Sequence, residues 1–196
     1  MCSSDLSTIS GNSIGSPSAP ISLLGTGSAM GIYNANTIGA NITGNSIKNI
    51  SINNSTSAGS ILGINVAAAI STNVINGNSV FSLSNNANNT SATTTAAIAG
   101  IQNISTISSI SNNNIYSLTY GGATAAGTVH GIYNSGSVTS VNANLIYDLS
   151  ASASTASIAN GIYVNGGTSK YSNNLVRLGT ASAVASPING VYDVTG

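Results

Sequence analysis

The chain has 196 residues, of which 41% are hydrophobic and only 3% are charged, and its three basic and three acidic residues leave no net charge. This balance excludes the Lys/Arg contacts that dominate nucleic-acid affinity, and no apolar run approaches the ~20 residues that a membrane helix needs. Disorder is disfavoured, because disordered chains combine low hydrophobicity with high net charge, whereas isoleucine alone occurs 24 times here. We therefore expect a folded domain with no nucleic-acid partner and no membrane insertion.

The N-terminal hexapeptide MCSSDL differs from the rest of the sequence. It has no signal-peptide character and resembles the translation of a sequencing adapter, as found in metagenomic fragments. We expect residues 1–7 to be artefactual or disordered, and residues 8–196 to form a single domain that is truncated at both ends. Setting aside Cys2 and Asp5 leaves this domain with no cysteine and only two acids.

An internal repeat runs through the remaining sequence, marked by two signatures that keep their relative spacing. The first is Gly followed by Ile or Val, at residues 31, 63, 100, 131, 161 and 190, with spacings of 32, 37, 31, 30 and 29 residues. The second is Asn-x-apolar-x-x-apolar, which opens at residues 45, 78, 113, 144 and 173, with a degenerate copy at residues 12–17. Composition alone does not produce two signatures in phase, so each unit is one structural repeat.

Alignment of the repeats places apolar residues in columns between small or polar neighbours. Such segments predict short strands with one inward face, and strands this short become buried only by stacking on the next repeat. We expect inward columns after each Gly and at Ile38, Ile70, Ile107, Val138; Ile42, Val74, Ile110, Val141, Tyr171; Ile47, Val80, Ile115, Ile146, Leu175; and Ile50, Leu83, Leu118, Leu149, Leu178. Since parallel crossovers are right-handed, the predicted fold is an all-β, right-handed parallel β-helix of five to six coils with about 30 residues per coil.

The Asn of the second signature is expected at a corner before a strand. Asn tolerates the left-handed conformation that such a corner needs, and stacked amides can hydrogen-bond along the axis of a ladder. We interpret the column at Asn45, Asn78, Asn113, Asn144 and Asn173 as a structural ladder rather than a ligand site.

The combination of Gly-Ile-Tyr and Asn-x-Ile-x-x-Leu motifs resembles the large repetitive parallel β-helix proteins that bacteria export to the cell surface, which belong broadly to the pectate-lyase-like superfold. The resemblance covers about residues 8–196. It implies an extracellular or cell-surface location and, in a longer chain, flanking β-helix coils as structural partners. It specifies the fold better than the function, because one superfold hosts unrelated activities.

Few residues in this sequence are suited to catalysis. Polysaccharide lyases and hydrolases on this fold need paired carboxylates, or carboxylates that hold calcium, together with a base, but Asp148 and Asp193 fall on different predicted strands. Asp148 aligns with Arg177 of the next repeat, which predicts a surface ion pair, and His130 is expected on the surface. We expect no catalytic residue, metal site or cofactor; the enzyme alternative is a lyase or hydrolase whose site lies outside this piece.

Aromatic residues occupy two predicted outward columns. One contains Tyr33, Tyr133, Tyr163 and Tyr192, and the other contains Phe81, Tyr116 and Tyr147. Stacked rings stabilise a ladder by ~0.2–1 kcal/mol per contact, and exposed Tyr also suits sugar binding because it combines apolar area with a polar tip. We expect a non-catalytic structural or adhesive segment whose partner is polysaccharide or other cell-surface material, bound at these columns.

An ice-binding solenoid is a second alternative. Small residues flank the second apolar column in the triplets at residues 37–39, 69–71, 106–108, 137–139 and 167–169. We expect these flanking residues to point outward. A flat, rigid, uncharged face of hydroxyl and methyl groups is the surface that known ice-binding solenoids present.

Overall fold

Each paired strand runs parallel to a strand of a neighbouring coil, as the repeat predicts. The computed structural model describes residues 7–24, 27–53, 59–67, 72–87, 96–122, 127–152, 157–178 and 187–195. These residues form a parallel β-solenoid of about five turns, with successive coils about 32 residues apart. No helix among them is long and apolar enough to span a membrane. The adapter-like residues 1–6 lie outside the described residues.

Six sets of strands follow one another along the chain. The first set is β1 (Ser7–Ser10), β2 (Ser13–Ile14), β3 (Ile21–Leu23) and β4 (Ala29–Asn34), and the second is β5 (Ala40–Thr43), β6 (Ser46–Ile52) and β7 (Ile61–Val66). The third is β8 (Thr72–Asn76), β9 (Ser79–Asn85) and β10 (Ile98–Asn103), and the fourth is β11 (Ile107–Ser111), β12 (Asn114–Tyr120) and β13 (Thr128–Asn134). The fifth is β14 (Val138–Asn142), β15 (Leu145–Ala151) and β16 (Ile158–Val164), and the sixth is β17 (Lys170–Ser172), β18 (Leu175–Arg177) and β19 (Ile188–Asp193).

Three parallel sheets form the walls of the solenoid, and each set contributes to all three. Sheet 1 contains β1, β5, β8, β11, β14 and β17 in spatial order. Sheet 2 contains β2, β6, β9, β12, β15 and β18, with β3 also paired to β6. Sheet 3 contains β4, β7, β10, β13, β16 and β19.

The core consists of aliphatic columns that point inward from the three sheets. One column of sheet 3 contains Ile32, Ile64, Ile101, Ile132 and Ile162, all buried, and it confirms the predicted column after each Gly. A second, in sheet 2, contains Ile47, Val80, Ile115 and Ile146, which are fully buried as predicted. Each aliphatic side chain thus stacks on its counterpart one coil away and contributes ~1.5–3 kcal/mol of burial.

The Gly of the first signature is required by close packing. A Cβ at Gly131 would lie 2.5 Å from Cγ2 of Ile146 and 2.6 Å from the carbonyl oxygen of Gly161. Gly100 is equally confined, 2.5 Å from Cγ2 of Ile115 and 2.7 Å from the carbonyl oxygen of Gly131. Sheet 3 can approach sheet 2 this closely only because no side chain intervenes.

Two predicted columns need correction by one residue. In sheet 1, Ile75 rather than Val74 aligns with Ile42 and Ile110. In the sixth set, Val176 rather than Leu175 aligns with Ile146. A slip of one residue reverses the face of a strand, and the sequence pattern does not distinguish the two registers because adjacent apolar residues fit it equally well.

The predicted column at Ile38, Ile107 and Val138 points outward instead of inward. All three side chains are about half exposed, with Ile107 at 49% and Val138 at 54%. Thr72, not Ile70, aligns with Ile107, and Ile70 lies outside the described residues. The next residue along, Ser108 or Thr139, points inward instead, as do Ile110 and Val141 two residues further on.

The corner between sheets 1 and 2 is turned by a residue in the left-handed conformation. The residues in this conformation are Gly11, Gly44, Gly77, Asn112, Ala143 and Asn173, with φ between 53° and 67°. The ladder Asn was expected to adopt it, but the residue before that Asn does. In the sixth set Asn173 is therefore the corner residue, and Asn174 is the ladder residue.

Buried Asn amides form the predicted ladder along this corner, through Asn12, Asn45, Asn78, Asn113, Asn144 and Asn174. At each step Oδ1 accepts hydrogen bonds from the backbone N–H and from Nδ2 of the preceding Asn, at 2.9–3.0 Å. From Asn45 onward, Nδ2 also donates to a backbone carbonyl of the preceding coil at 2.8–2.9 Å. The amide-to-amide bonds of the ladder therefore all run in one direction, with each Asn donating to the Asn of the next coil.

We predict that Ala143→Gly stabilises the protein. Ala143 has a φ of 54°, which costs an L-residue roughly 1–2 kcal/mol, whereas Gly adds ~0.4–1 kcal/mol of unfolded-state entropy. The expected net gain in the free energy of unfolding, measured by denaturant titration, is about 0.5–1 kcal/mol. Ala35 is exposed and does not adopt positive φ, so Ala35→Gly should destabilise; a loss of stability in both variants would contradict the account of the corner.

Candidate functional site

The second predicted aromatic column forms a face-to-face stack on the outer face of sheet 2. The ring centroids of Phe81 and Tyr116 lie 4.7 Å apart with an interplanar angle of 4°, and those of Tyr116 and Tyr147 lie 4.8 Å apart at 2°. The separation matches the spacing of parallel strands. Neighbouring rings therefore cover one another's faces, and their edges line the outer surface.

Two basic residues end this column. Lys48 aligns with Phe81, with Nζ 5.8 Å from the ring centroid, and Arg177 aligns with Tyr147. A cation over a ring face within ~6 Å is attracted to the ring. Desolvation, followed by the charge of Tyr147, raises the pKa of the Tyr116 hydroxyl above its usual value.

The first predicted aromatic column lies in sheet 3 and is less uniform. Tyr133, Tyr163 and Tyr192 align in successive coils, with centroid separations of 5.4 Å and 5.7 Å. Tyr192 is exposed and Tyr163 is partly buried, but Tyr133 is only 8% exposed and its hydroxyl accepts a hydrogen bond from Nδ2 of Asn165 at 2.9 Å. Burial, followed by the neighbouring Tyr charges, raises the pKa of Tyr163.

Tyr33 stands apart at the other end of the same column. Asn65 and Gln102 occupy the two coils between Tyr33 and Tyr133, as predicted. Tyr33 is exposed and has no ring partner within the part of the chain that the structure describes. The exposed rings of this column are thus at its two ends.

His130 is buried, which corrects the expectation of a surface residue. Its side chain is 3% exposed and lies beside the rings of Tyr163 and Tyr133, at centroid distances of 4.7 and 5.7 Å. Oδ1 of Asn160 accepts a bond from Asn189 at 2.8 Å, so Nδ2 of Asn160 faces Nδ1 of His130, 3.2 Å away. Burial lowers the pKa of His130 to about 3, which keeps the imidazole neutral.

The sequence pattern missed this burial because an outward strand position was equated with exposure. The same outward column contains Leu62 and Ala99, which are also buried and belong to a second apolar cluster with Ala96 and Tyr133. The apolar residues Leu62 and Ala99 at this position of neighbouring repeats were the sequence signal that the column is buried. His130 is therefore better interpreted as part of this cluster than as an exposed base.

Asp148 does not align with Arg177, so the register contradicts the predicted ion pair. Arg177 aligns with Tyr147, and Oδ2 of Asp148 accepts a hydrogen bond of 2.7 Å from Oγ of Ser117. The error is a shift of one residue, because the strand register pairs Arg177 with the residue before Asp148. Asp148 itself adopts a φ of 56°, a conformation that Asp tolerates better than most residues.

The two remaining acids are not brought together. Asp148 belongs to β15 of sheet 2, whereas Asp193 ends β19 of sheet 3. Hydrogen bonds from the Thr195 side chain and backbone lower the pKa of Asp193. The described ranges contain no group of three His, Cys, Asp or Glu side chains that could hold a metal ion.

The outer face of sheet 1 differs from the predicted ice-binding face. Ser108 and Thr139, expected to point outward, are buried, and Oγ of Ser108 donates to Oδ1 of Asn103 at 2.9 Å. Instead Ile107 and Val138 are exposed, with Thr72 beside them in the same column. The triplet at residues 69–71 lies outside the described residues. The exposed row is thus uncharged and consists of aliphatic side chains and Thr72.

A second buried polar network was not foreseen. Nδ2 of Asn34 donates to Oδ1 of Asn73 at 3.0 Å, and Nδ2 of Asn103 donates to Oδ1 of Asn134 at 2.8 Å. Nδ2 of Asn134 continues to the Tyr171 hydroxyl at 2.8 Å. The sequence signal for this network was an Asn three residues after the Gly of the first signature. It was not recognised as a column because Val66 and Val164 occupy the same position in two other coils.

Comparison with known proteins finds no match for this chain among family models, curated proteins or solved structures.

We predict that His130→Asn removes a pH dependence of stability. Between about pH 6.5, the usual His pKa, and about pH 3, the unfolded chain binds a proton that the folded chain does not. The free energy of unfolding should therefore fall as the pH falls through this window, by up to ~1.4 kcal/mol per pH unit.

Asn is a matched replacement at this position, because Asn160 and Asn189 occupy it in the next two coils. Denaturant titrations across this pH range should show a smaller decline for His130→Asn than for the wild type. Parallel pH profiles for the two proteins would contradict the burial of a neutral imidazole.

Proposed function

We propose that the chain is a non-catalytic structural and adhesive segment of a bacterial cell-surface protein, which binds polysaccharide along the outer face of sheet 2. The observation that carries this proposal is the ordered stack of Phe81, Tyr116 and Tyr147. Short polar residues border the stack on one side at Ser51, Ser84, Thr119 and Ser150, and on the other at Ser46, Ser79 and Asn114, where the exposed Leu145 continues the column beside Tyr147.

The stacked geometry favours contact through ring edges rather than ring faces. Sugar hydroxyls can exchange hydrogen bonds with the Tyr116 and Tyr147 hydroxyls and with the neighbouring Ser side chains, since each hydroxyl donates one bond and accepts two. Apolar sugar surface can pack on the ring edges between them. Because the column repeats at the strand spacing, it suits an extended polymer better than a single sugar.

The structural role is supported by the Asn ladder. Each coil is joined to the next by buried side-chain bonds in addition to the strand ladders, and solenoid repeats contact only their neighbours. Such a domain can extend from a surface while keeping its outer columns in register. The location outside the cell is supported by the resemblance of the motifs to exported β-helix proteins.

The non-catalytic role is supported by the placement of the acids. Glycoside hydrolysis needs two carboxyl groups flanking one bond, and Asp148 and Asp193 lie in different sheets. In this proposal, any lyase or hydrolase activity of a longer protein resides in a part other than these coils.

We predict that Tyr116→Ala combined with Tyr147→Ala weakens polysaccharide binding. Removing two of three stacked rings deletes the apolar ridge and both phenol hydroxyls, so we expect about tenfold weaker retention on immobilised bacterial polysaccharides, equivalent to about 1.4 kcal/mol. The matched control is Ser109→Ala with Ser140→Ala, which changes the outer face of sheet 1. Equal retention of wild type and the Tyr variant would overturn the adhesive proposal.

Ice binding is a second candidate, favoured by the exposed row of Ile107 and Val138. These methyl-bearing side chains lie on a parallel sheet beside hydroxyl residues such as Ser109 and Ser140. Among the described outward positions of this sheet, Lys170 is the charged one.

We predict that, if sheet 1 binds ice, Val138→Lys abolishes thermal hysteresis, because a solvated cation would interrupt the flat aliphatic row. Leu145→Lys is the control, since Leu145 is exposed on sheet 2 rather than sheet 1. A wild-type protein without thermal hysteresis at high concentration would remove this candidate.

A further inference from the structure

Two phenol rings of neighbouring coils lie face to face on the outer side of sheet 2. Tyr116 of β12 and Tyr147 of β15 occupy the same strand position, and their ring centroids are 4.8 Å apart with an interplanar angle of 2°. Because the two strands are parallel and in register, equivalent ring atoms are separated by about one strand spacing, ~4.8 Å. The carbon atoms ortho to the two hydroxyl groups therefore face each other.

This pair is the closest and most nearly parallel pair of phenols among the described residues. In sheet 3 the rings of Tyr133 and Tyr163 are 5.4 Å apart at 15°, and those of Tyr163 and Tyr192 are 5.7 Å apart at 30°. The pair formed by Tyr116 and Tyr147 thus needs the least movement to bring two equivalent ring carbons into contact.

The phenols of this pair are also open to reagents in solution. Tyr116 and Tyr147 are only partly buried, and their hydroxyl groups make no hydrogen bond with any residue that the structure describes. In sheet 3, by contrast, Tyr133 is only 8% exposed and its hydroxyl accepts a hydrogen bond from Asn165. An oxidant that approaches sheet 2 therefore reaches both rings of the stacked pair.

A covalent bond between coils would add a constraint that these coils otherwise lack. The 196 residues include one cysteine, so no disulfide can join one coil of the chain to another. Cross-links stabilise folded proteins largely by restricting the unfolded chain, and a bond between Tyr116 and Tyr147 would do so by joining two successive coils.

We propose that Tyr116 and Tyr147 form a dityrosine cross-link when the protein meets hydrogen peroxide and a haem peroxidase. The peroxidase removes one electron and the hydroxyl proton from each phenol, and the two phenoxyl radicals pair their electrons in a new bond between ortho carbons. The two ortho hydrogens then transfer as protons to the oxygens, which restores both phenol groups. The protein loses two hydrogen atoms in total, and one peroxide molecule takes them up and forms two molecules of water. This modification requires neither a glycan nor an ice ligand.

The test is treatment of the 196-residue chain with peroxidase and peroxide at low protein concentration, followed by dityrosine fluorescence and chymotryptic peptide mapping. We expect a monomer that contains dityrosine, with the peptides of Tyr116 and Tyr147 joined and two hydrogen atoms lighter than their sum. Tyr116→Phe should lose most of this fluorescence. Tyr33→Phe is the matched control and should retain it, since Tyr33 is exposed and has no ring partner among the described residues. Wild type without monomeric dityrosine, or equal fluorescence in the two variants, would overturn the proposal.

Moving the phenol pair by one coil tests whether the stacking geometry determines the reaction. Phe81 stacks on Tyr116 with ring centroids 4.7 Å apart at 4°, so Phe81→Tyr combined with Tyr147→Phe shifts the pair to the preceding coil. We expect the double variant to regain the monomeric dityrosine that Tyr147→Phe alone lacks, now joining residues 81 and 116. A double variant that is as stable as wild type towards denaturant, but yields no more dityrosine than Tyr147→Phe, would contradict the geometric basis of the proposal.

Discussion

The buried amide ladder is the constraint on which the rest of the solenoid depends. An Asn side chain at the corner between sheets 1 and 2 supplies one acceptor and two donors, and the repeat uses all of them: Asn113 accepts from Asn78 and donates to Asn144 and to the carbonyl of Ile75. Buried polar groups are tolerated only when their partners are present, so each coil fixes the position of the next. The amide bonds set the register in which the coils stack, and burial of the aliphatic columns then stabilises that register.

This axial stacking also accounts for the near absence of charge. Side chains at equivalent positions of successive coils lie within ~4.5–5.5 Å of each other, and like charges at that distance are destabilising. Amides, hydroxyls and rings can stack on themselves, as Phe81, Tyr116 and Tyr147 do. Lys48 and Arg177 share a column, but these three rings separate them. Composition and architecture are thus two consequences of the same repeat.

The sequence predicts those parts of the fold that only one type of residue can form. The Gly column and the Asn ladder were predictable because only Gly fits against Ile146 and only a short amide makes the ladder bonds. The register at Ile75 could not be predicted, because Val74 is equally apolar. The position of the corner at Gly77 determines which of the two side chains points inward. The outward aromatic stack followed from the pattern, but the burial of His130 did not, since it depends on a second cluster that packs on the outside of sheet 3.

The central claim is that the ladder stabilises the stack of coils, and Asn113→Ala against Asn12→Ala tests it most directly. Asn113→Ala leaves the backbone N–H and the side-chain Nδ2 of Asn78 without their acceptor, and each unsatisfied donor costs ~1–3 kcal/mol. By contrast, Oδ1 of Asn12 accepts no hydrogen bond from the described residues. Denaturant titration should show a loss of about 3–6 kcal/mol for Asn113→Ala and about 1 kcal/mol or less for Asn12→Ala. Equal small losses in the two variants would contradict the claim.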